Sequence, residues 1–393
     1  MLPDYYEFYN PVKINAGSEA LETIPYELKQ MNVSRPIIIT DKGITNAGLL
    51  KILIDSFDDS ELVIGVIYDE TPPDSSLKTV NEIAKLYREY KCDSIIALGG
   101  GSPMDTAKGV NIIISENDDD LRKFMGADRL KAVQQPFIAI PTTSGTGSEV
   151  TLVAVINDVE NQVKMPFTSN LLLPKIAIID PRMTLSLPAR ITAATGMDAL
   201  THAVEAYTCL QKNPMSDAYA IAAIKLVQEN LIKVVEKGDD KQARFAMANA
   251  STMAGIAFSN SMVGAVHAIG HACGAIAHVH HGNAMAILLP YVMKFNMDML
   301  ENLYAELLLP IAGEKIFTKT KTADRAMKTV ETILLMNHSL NKLCGMPVKL
   351  SEAGVKEEQF EQIAKTAMND GAMLPNPKEL NKEDIIKILN EAM

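Results

Sequence analysis

Up to Asp180 the chain alternates short apolar runs with amphipathic stretches. Residues 33–41 (VSRPIIITD), 61–68 (ELVIGVIY), 93–98 (DSIIAL), 136–140 (PFIAI), 151–156 (TLVAVI) and 175–180 (KIAIID) are rich in β-branched residues and predict strands. Residues 77–90 place Val80, Ile83, Ala84 and Tyr87 at helical spacing. Alternation of such strands with helices predicts a mostly parallel, doubly wound sheet.

Beyond Asp180 the texture changes. Pro181 and Pro188 punctuate the chain, and from Ile191 to Met393 the pattern is helical and rich in Ala and Met, with no further strand. The reading is two domains, an α/β domain over residues 1–185 and an all-α domain over 186–393. At 393 residues the chain is long enough to bury a core in each.

A formal charge of −11 argues against a nucleic acid as the main partner, because a net acidic surface repels phosphate backbones. It leaves room for a small local anion site. Cys92, Cys209, Cys273 and Cys344 have no CxxC spacing, which suggests reduced thiols. Residues 1–10 are acidic and aromatic, unlike a secretory leader, and no apolar run approaches the length of a membrane span. The expected compartment is the cytoplasm, with no membrane partner.

Two loops invite a phosphate. Gly99-Gly100-Gly101-Ser102 follows one predicted strand and opens a predicted helix at Pro103; glycines let the backbone approach a ligand, and free N–H groups at a helix start favour an anion. This is not the GxGxxG fingerprint, and alone it is equally a structural turn. Residues 141–149 (PTTSGTGSE) form a second glycine-rich loop after another strand, and loops at the carboxyl ends of parallel strands converge on one crevice. Asp41 ends a third strand, where a carboxylate accepts bonds from a ribose diol and repels a 2′-phosphate, so NAD is expected over NADP. The plain alternative for Asp41 is a turn cap.

Chemistry of another kind concentrates in the helical half. Asp198 and His202 sit four apart in TGMDALTHAVEAY, and His267 and His271 repeat the spacing in GAVHAIGHACG. AHVHHG then adds His278, His280 and His281, so six of the seven histidines fall between His202 and His281, with His338 apart. A lone helical histidine is more often a satisfied core residue, but two such pairs in apolar helices are costly to bury unpaired. One carboxylate and three imidazoles make a four-coordinate site for a divalent first-row metal with room for a substrate oxygen. Spacing does not choose the ligands. A helix continuing from Val263 puts His267, His271 and His278 on one face, and His281 then lies in a turn.

These motifs resemble the iron-containing, or group III, alcohol dehydrogenases over essentially the whole chain. The resemblance rests on GGGSPMDTAK (99–108), PTTSGTGSEVT (141–151), ATGMDALTHAVEAY (194–207) and GAVHAIGHACG with HHG downstream (264–282). It implies a Rossmann-like α/β nucleotide-binding domain, mostly parallel in its sheet, followed by an all-α C-terminal metal-binding domain. It implies Asp198, His202, His267 and His281 as metal ligands, the glycine after His281 deciding that choice. His271 would lie near the metal without being a constant ligand. The implied cofactor contacts are Asp41, Gly100, Gly101, Ser102, Thr142, Thr143, Ser148, Thr151 and Lys164. The HVHH run before Gly282 departs from the family pattern.

The function so implied is interconversion of small alcohols with aldehydes or ketones, by hydride transfer to NAD. A divalent ion, Fe(II) first although Asp/His₃ suits Zn(II) as well, lowers the pKa of the alcohol oxygen. His271 is the candidate proton carrier, because an imidazole suits transfer near neutral pH. The competing readings are a glycerol dehydrogenase-like or dehydroquinate-synthase-like enzyme of the same architecture, and a non-catalytic nucleotide- or metal-binding module. A homodimer or larger homo-oligomer is the expected assembly.

Overall fold

The computed structural model describes residues 3–161 and 163–393. Met1 and Leu2, which begin the acidic N-terminal stretch, and Gln162 lie outside the described residues. Two compact units divide the chain. Residues 10–143 and 147–186 form one, and residues 3–9, 144–146 and 187–393 the other. The sequence assigns residues 3–9 and 144–146 to the first domain, but they group with the helical unit. Phe8 stacks on Tyr219, the Tyr9 amide donates to Asn260 Oδ1 at 2.7 Å, and Gly145 lies against the backbone of Thr195.

The strands of the α/β unit are β1 (Lys13–Ala16), β2 (Pro36–Ile39), β3 (Val66–Tyr68), β4 (Ser94–Gly99), β5 (Gly126–Ala127), β6 (Phe137–Pro141), β7 (Val153–Asp158), β8 (Val163–Thr168) and β9 (Ile176–Ile179). Its helices are α1 (Ile24–Gln30), α2 (Lys42–Asn46), α3 (Leu49–Asp55), α4 (Leu77–Glu89) and α5 (Gly101–Glu116). Six strands form an all-parallel sheet in the order β1-β9-β6-β4-β2-β3. Every residue of β2, β4, β6 and β9 is buried, which is why these runs show no polar alternation. Ile37, Ile95 and Phe137 face one apolar layer with α4 and α5, while Ile38, Ile96 and Ile138 face the other with α1 and α3. The edge strands β1 and β3 are short and half exposed, so the run expected over 61–68 pairs only from Val66.

Residues 151–156 depart from the expectation of one sheet. They enter β7, which pairs antiparallel with β8, and β5 adds parallel to β8 in a separate three-stranded sheet. The reason is legible in the burial. Ala154 and Ile156 point inward with Met165 and Phe167, while Val155, Lys164 and Pro166 are exposed, a period-two pattern for a strand with one wet face.

Going from β2 the chain moves outward to β3, then crosses back to β4 and on to β6 and β9. The direction of winding therefore reverses between β2 and β4, whose carboxyl ends lie side by side with Ile39 opposite Ala97. Loops leaving such a reversal open onto a crevice that ligands use.

The helical unit comprises α6 (Ala189–Thr208), α7 (Pro214–Glu236), α8 (Lys241–Ser259), α9 (Ala265–Ala277), α10 (His281–Phe295), α11 (Met297–Ala312), α12 (Glu314–Lys319), α13 (Arg325–Cys344), α14 (Phe360–Ala367) and α15 (Lys382–Glu391). Every residue of α6 from Thr192 to Thr208 is buried, so this helix is the axis about which the others pack. None of the described helices is long and apolar enough to cross a membrane. Pro290 lies inside α10 and has no N–H for the carbonyl of Ala286, one turn back. Asn337 of α13 donates its Nδ2 to that carbonyl at 2.5 Å.

The start of α10 closes tightly on α6. A Cβ on Gly282 would stand 2.4 Å from the carbonyl oxygen of Ala194, a distance that only glycine permits. Gly282→Ala is therefore expected to destabilise the protein by about 1–3 kcal/mol, as overpacking does, and to lower its thermal midpoint by several degrees. An unchanged midpoint in a melting experiment would show that α10 shifts without cost.

Candidate metal centre

Four side chains converge inside the helical unit. Asp198 and His202 project from α6, His267 from the first turn of α9, and His281 is the first residue of α10. Each offers one ligand atom, and these atoms all lie within 4.8 Å of one another. Asp198 Oδ1 stands 3.2 Å from His281 Nε2, 3.8 Å from His267 Nε2 and 3.8 Å from His202 Nδ1. The rings nest together, His202 stacking between His267 and Phe258.

The electrostatics suit a cation. Asp198 is 2 % exposed; burial opposes its charge, but the surrounding imidazoles hold its carboxyl well below the usual carboxylate range. Burial brings His202 down to about 3 and pushes His267 well below its ordinary value, so both rings are neutral with lone pairs free to bind. Among the described residues, His202 Nδ1 and His267 Nε2 are buried with no hydrogen-bond partner, and Asp198 Oδ1 has the ion-pair neighbours named above. Buried polar atoms are ordinarily paired. Three of them facing one point, with a net charge of one carboxylate, are what a divalent ion would satisfy, so the residues present fit such an ion.

The helical register differs from the sequence expectation at the HVHH run. The α9 helix ends at Ala277, and His278 turns away in the left-handed region, exposed and outside the cluster. His281 does not lie in a turn; it opens α10, with His280 as the exposed residue before it. The candidate set therefore includes one residue from beyond a helix break rather than drawing on a continuous face.

His271 lies at the mouth. Its side chain is 45 % exposed, its ring stacks on His281, and its Nδ1 meets Asp370 Oδ2 at 2.8 Å. Asp370 also accepts from the Ala372 amide, which ties it to the backbone; burial pushes its carboxyl up, but His271 and the Ala372 amide together hold it below the ordinary value.

Two buried groups escaped the sequence reading. Glu205 of α6 contacts His267 Nδ1, and burial lifts its carboxyl to about 7 against backbone N–H groups that favour the charge. Its signal was a carboxylate within the apolar stretch AVEAY, seven residues past Asp198 on the same helix stripe. Lys108 of α5 is 1 % exposed and donates to Ser148 Oγ, the Thr151 carbonyl, Thr151 Oγ1 and the Val153 carbonyl at 2.8–3.1 Å. Its signal was a lysine between Ala107 and Gly109 in a helix that otherwise reads as core. Burial lowers its amine to about 8.

The loops of the α/β unit gather as their strands dictate. Asp41 follows β2 and caps α2, its Oδ1 accepting from the Ile44 amide at 3.0 Å. Gly100 precedes α5 and Gly101 and Ser102 begin it. Thr142 and Thr143 follow β6, and the Thr142 amide donates to the Gly99 carbonyl at 3.0 Å, joining the two loops. Lys108 holds Ser148 and Thr151. Lys164, on the exposed side of β8, pairs at 3.6 Å with Asp74, whose amide donates to Ser102 Oγ.

Known proteins share this architecture along the full chain. Residues 11–181 match the iron-containing alcohol dehydrogenase family, and residues 192–393 match the C-terminal part of the Fe-containing alcohol dehydrogenase family. The NAD-dependent methanol dehydrogenase of Bacillus methanolicus is 35% identical over 388 residues, covering 98% of this chain and 99% of its own. The 1,3-propanediol dehydrogenase of Klebsiella pneumoniae is 36% identical over 383 residues, 96% of each chain. The solved structure of the alcohol dehydrogenase from Oenococcus oeni superposes with a TM-score of 0.94 at 35% identity, covering 99% of this chain and all of that one. With both halves matched and the Asp/His₃ cluster assembled, the chain belongs to the iron-containing alcohol dehydrogenase family.

Proposed function

We propose that the protein is an NAD-linked dehydrogenase that interconverts small alcohols with aldehydes or ketones, using an iron(II) ion held by Asp198, His202, His267 and His281. The observation that carries the reading is the convergence of one buried carboxylate and three imidazoles whose ligand atoms all lie within 4.8 Å of one another. The relatives named for methanol and 1,3-propanediol support an alcohol of small size. Bound at these donors, the ion supplies Lewis acidity to the substrate oxygen.

The chain's own groups do the rest. Asp198 offsets part of the ion's charge, and the neutral rings of His202 and His267 offer lone pairs without adding charge. With Nδ1 engaged by Asp370, His271 turns its Nε2 to receive the hydroxyl proton of the alcohol and release it to solvent. Asp41, Gly100, Gly101, Ser102, Thr142, Thr143, Ser148, Thr151 and Lys164 are the proposed contacts to NAD, which would supply the hydride acceptor when bound. The start of α5 offers backbone N–H groups to the pyrophosphate, and the second carboxylate oxygen of Asp41 is available to a ribose diol. We place the protein in the cytoplasm because its four cysteines are unpaired, and as a homodimer or larger homo-oligomer on the family resemblance.

Asp198→Ala and His267→Ala are each expected to abolish turnover and to deplete iron in elemental analysis of anaerobically purified protein. Full activity at normal metal content would remove that residue from the site. Asp41→Gly should raise kcat/KM with NADP relative to NAD; a constant ratio would make Asp41 a helix cap alone. His271→Ala should keep its metal and its affinity for NAD yet lose roughly 10²-fold in kcat at neutral pH. Part of that rate should return as pH rises and solvent takes the proton. Loss of metal instead would make His271 a ligand, and near-normal rates across pH would leave it as pocket wall.

A further inference from the structure

Glu205 lies on the stripe of α6 that carries Asp198 and His202, and it is buried. Its two carboxylate oxygens face different partners. Oε1 accepts from the Val266 amide at 2.7 Å, and Oε2 meets His267 Nδ1 at 2.5 Å. Val266 is the second residue of α9, and the residue before that helix, Gly264, brings no side chain to cap it. A Cβ on Gly264 would stand 2.9 Å from Glu205 Oε1, so the glycine is what lets a carboxylate from another helix reach the N–H groups there. Glu205 thus serves as a cap supplied in trans, its Oε1 accepting at the N-terminal end of α9.

The second contact reaches further than capping. An imidazole presents a lone pair at one ring nitrogen only while the other carries the hydrogen, and the acceptor beside that hydrogen decides which is which. With an acceptor held against Nδ1, the hydrogen of His267 resides there. Nε2 is left with its lone pair directed toward Asp198 Oδ1, 3.8 Å away. We propose that Glu205 is a positioning residue for the metal centre: it fixes the tautomer and ring angle of His267, so that Nε2 is ready for the ion before the ion arrives. This rests on the metal reading above.

Glutamine cannot do both jobs. Each oxygen of Glu205 faces an N–H group, and an amide has one oxygen and one NH₂, so Glu205→Gln must set a donor against a donor. If the NH₂ faces Val266, the start of α9 loses its cap. If it faces His267, the ring must accept at Nδ1 and carry its hydrogen on Nε2, which blocks coordination. Contacts of this kind around a metal typically carry 10–100-fold in affinity.

The test uses Zn(II) and the full-length protein. Glu205→Ala removes both oxygens and leaves no choice of orientation. Competition against a chromophoric chelator should show Glu205→Ala weakening Zn(II) binding by about 10–100-fold. In a His267→Ala background the same substitution should add no further loss. Nitrogen-15 spectra of histidine-labelled, metal-free wild type should show His267 protonated at Nδ1, and Glu205→Ala should remove that preference. Wild-type affinity in Glu205→Ala, an equal loss in the His267→Ala background, or a wild-type His267 protonated at Nε2 would each overturn the proposal. The last readout needs no variant, so it decides even if Glu205→Ala does not fold. A wild type that takes up no Zn(II) and no iron would overturn the metal reading itself, a result separable from any failure confined to Glu205.

Discussion

A carboxylate carried into the apolar interior of a helix bundle has to be answered by positive charge or by directed N–H groups. The α6 helix carries two, Asp198 and Glu205, on a stretch buried on all sides. Much of the helical unit can be understood as the answer. Three imidazoles surround Asp198 and frame with it a place that a divalent ion would fill, the amide end of α9 meets Glu205, and His267 touches both. The glycines at 264 and 282 are there because those approaches leave no room for a Cβ. The arrangement holds two acidic groups out of water close together, which favours a cation between them and the imidazoles.

The α/β unit solves a different problem by similar means. Its sheet is covered on both faces by apolar layers, and the loops at the strand ends carry the glycines and short polar side chains. Reversal of the winding at β2 and β4 then sets Asp41 and the glycine loop side by side without any contact designed for the purpose. Lys108 is one of several polar groups that stay inside. It stays inside because hydroxyl and carbonyl oxygens of the 148–153 segment satisfy its ammonium, which fixes that segment against α5.

The sheet was legible in the sequence because strands buried on both faces leave an unbroken apolar run, as in PIII of β2 and IAII of β9. What was missed were strands with a wet face. KINA in β1 and VKMPFT in β8 mix polar and apolar residues at short length, and nothing local separates them from loop. In the helical half, Asp198, His202 and His267 stood out as titratable residues at helical spacing in apolar surroundings. The place of His281 depended on where α9 stops. That stop is a left-handed turn at His278, a residue without the glycine that usually announces one. Glu205 went unnoticed because its partners are a backbone amide and a ring on another helix, and neither leaves a trace in spacing.

The proline inside α10 has a consequence for how this core can change over time. Because Pro290 offers no hydrogen to the Ala286 carbonyl, Asn337 of α13 is that oxygen's donor. Replacing Asn337 with leucine while Pro290 stays would strand a buried carbonyl. Replacing Pro290 with alanine first restores the donor from within α10 and makes Asn337 dispensable. The two positions can therefore drift to an all-apolar contact in one order only. The directional bond that now sets the register of α13 on α10 acts as a ratchet on the route by which it could be lost.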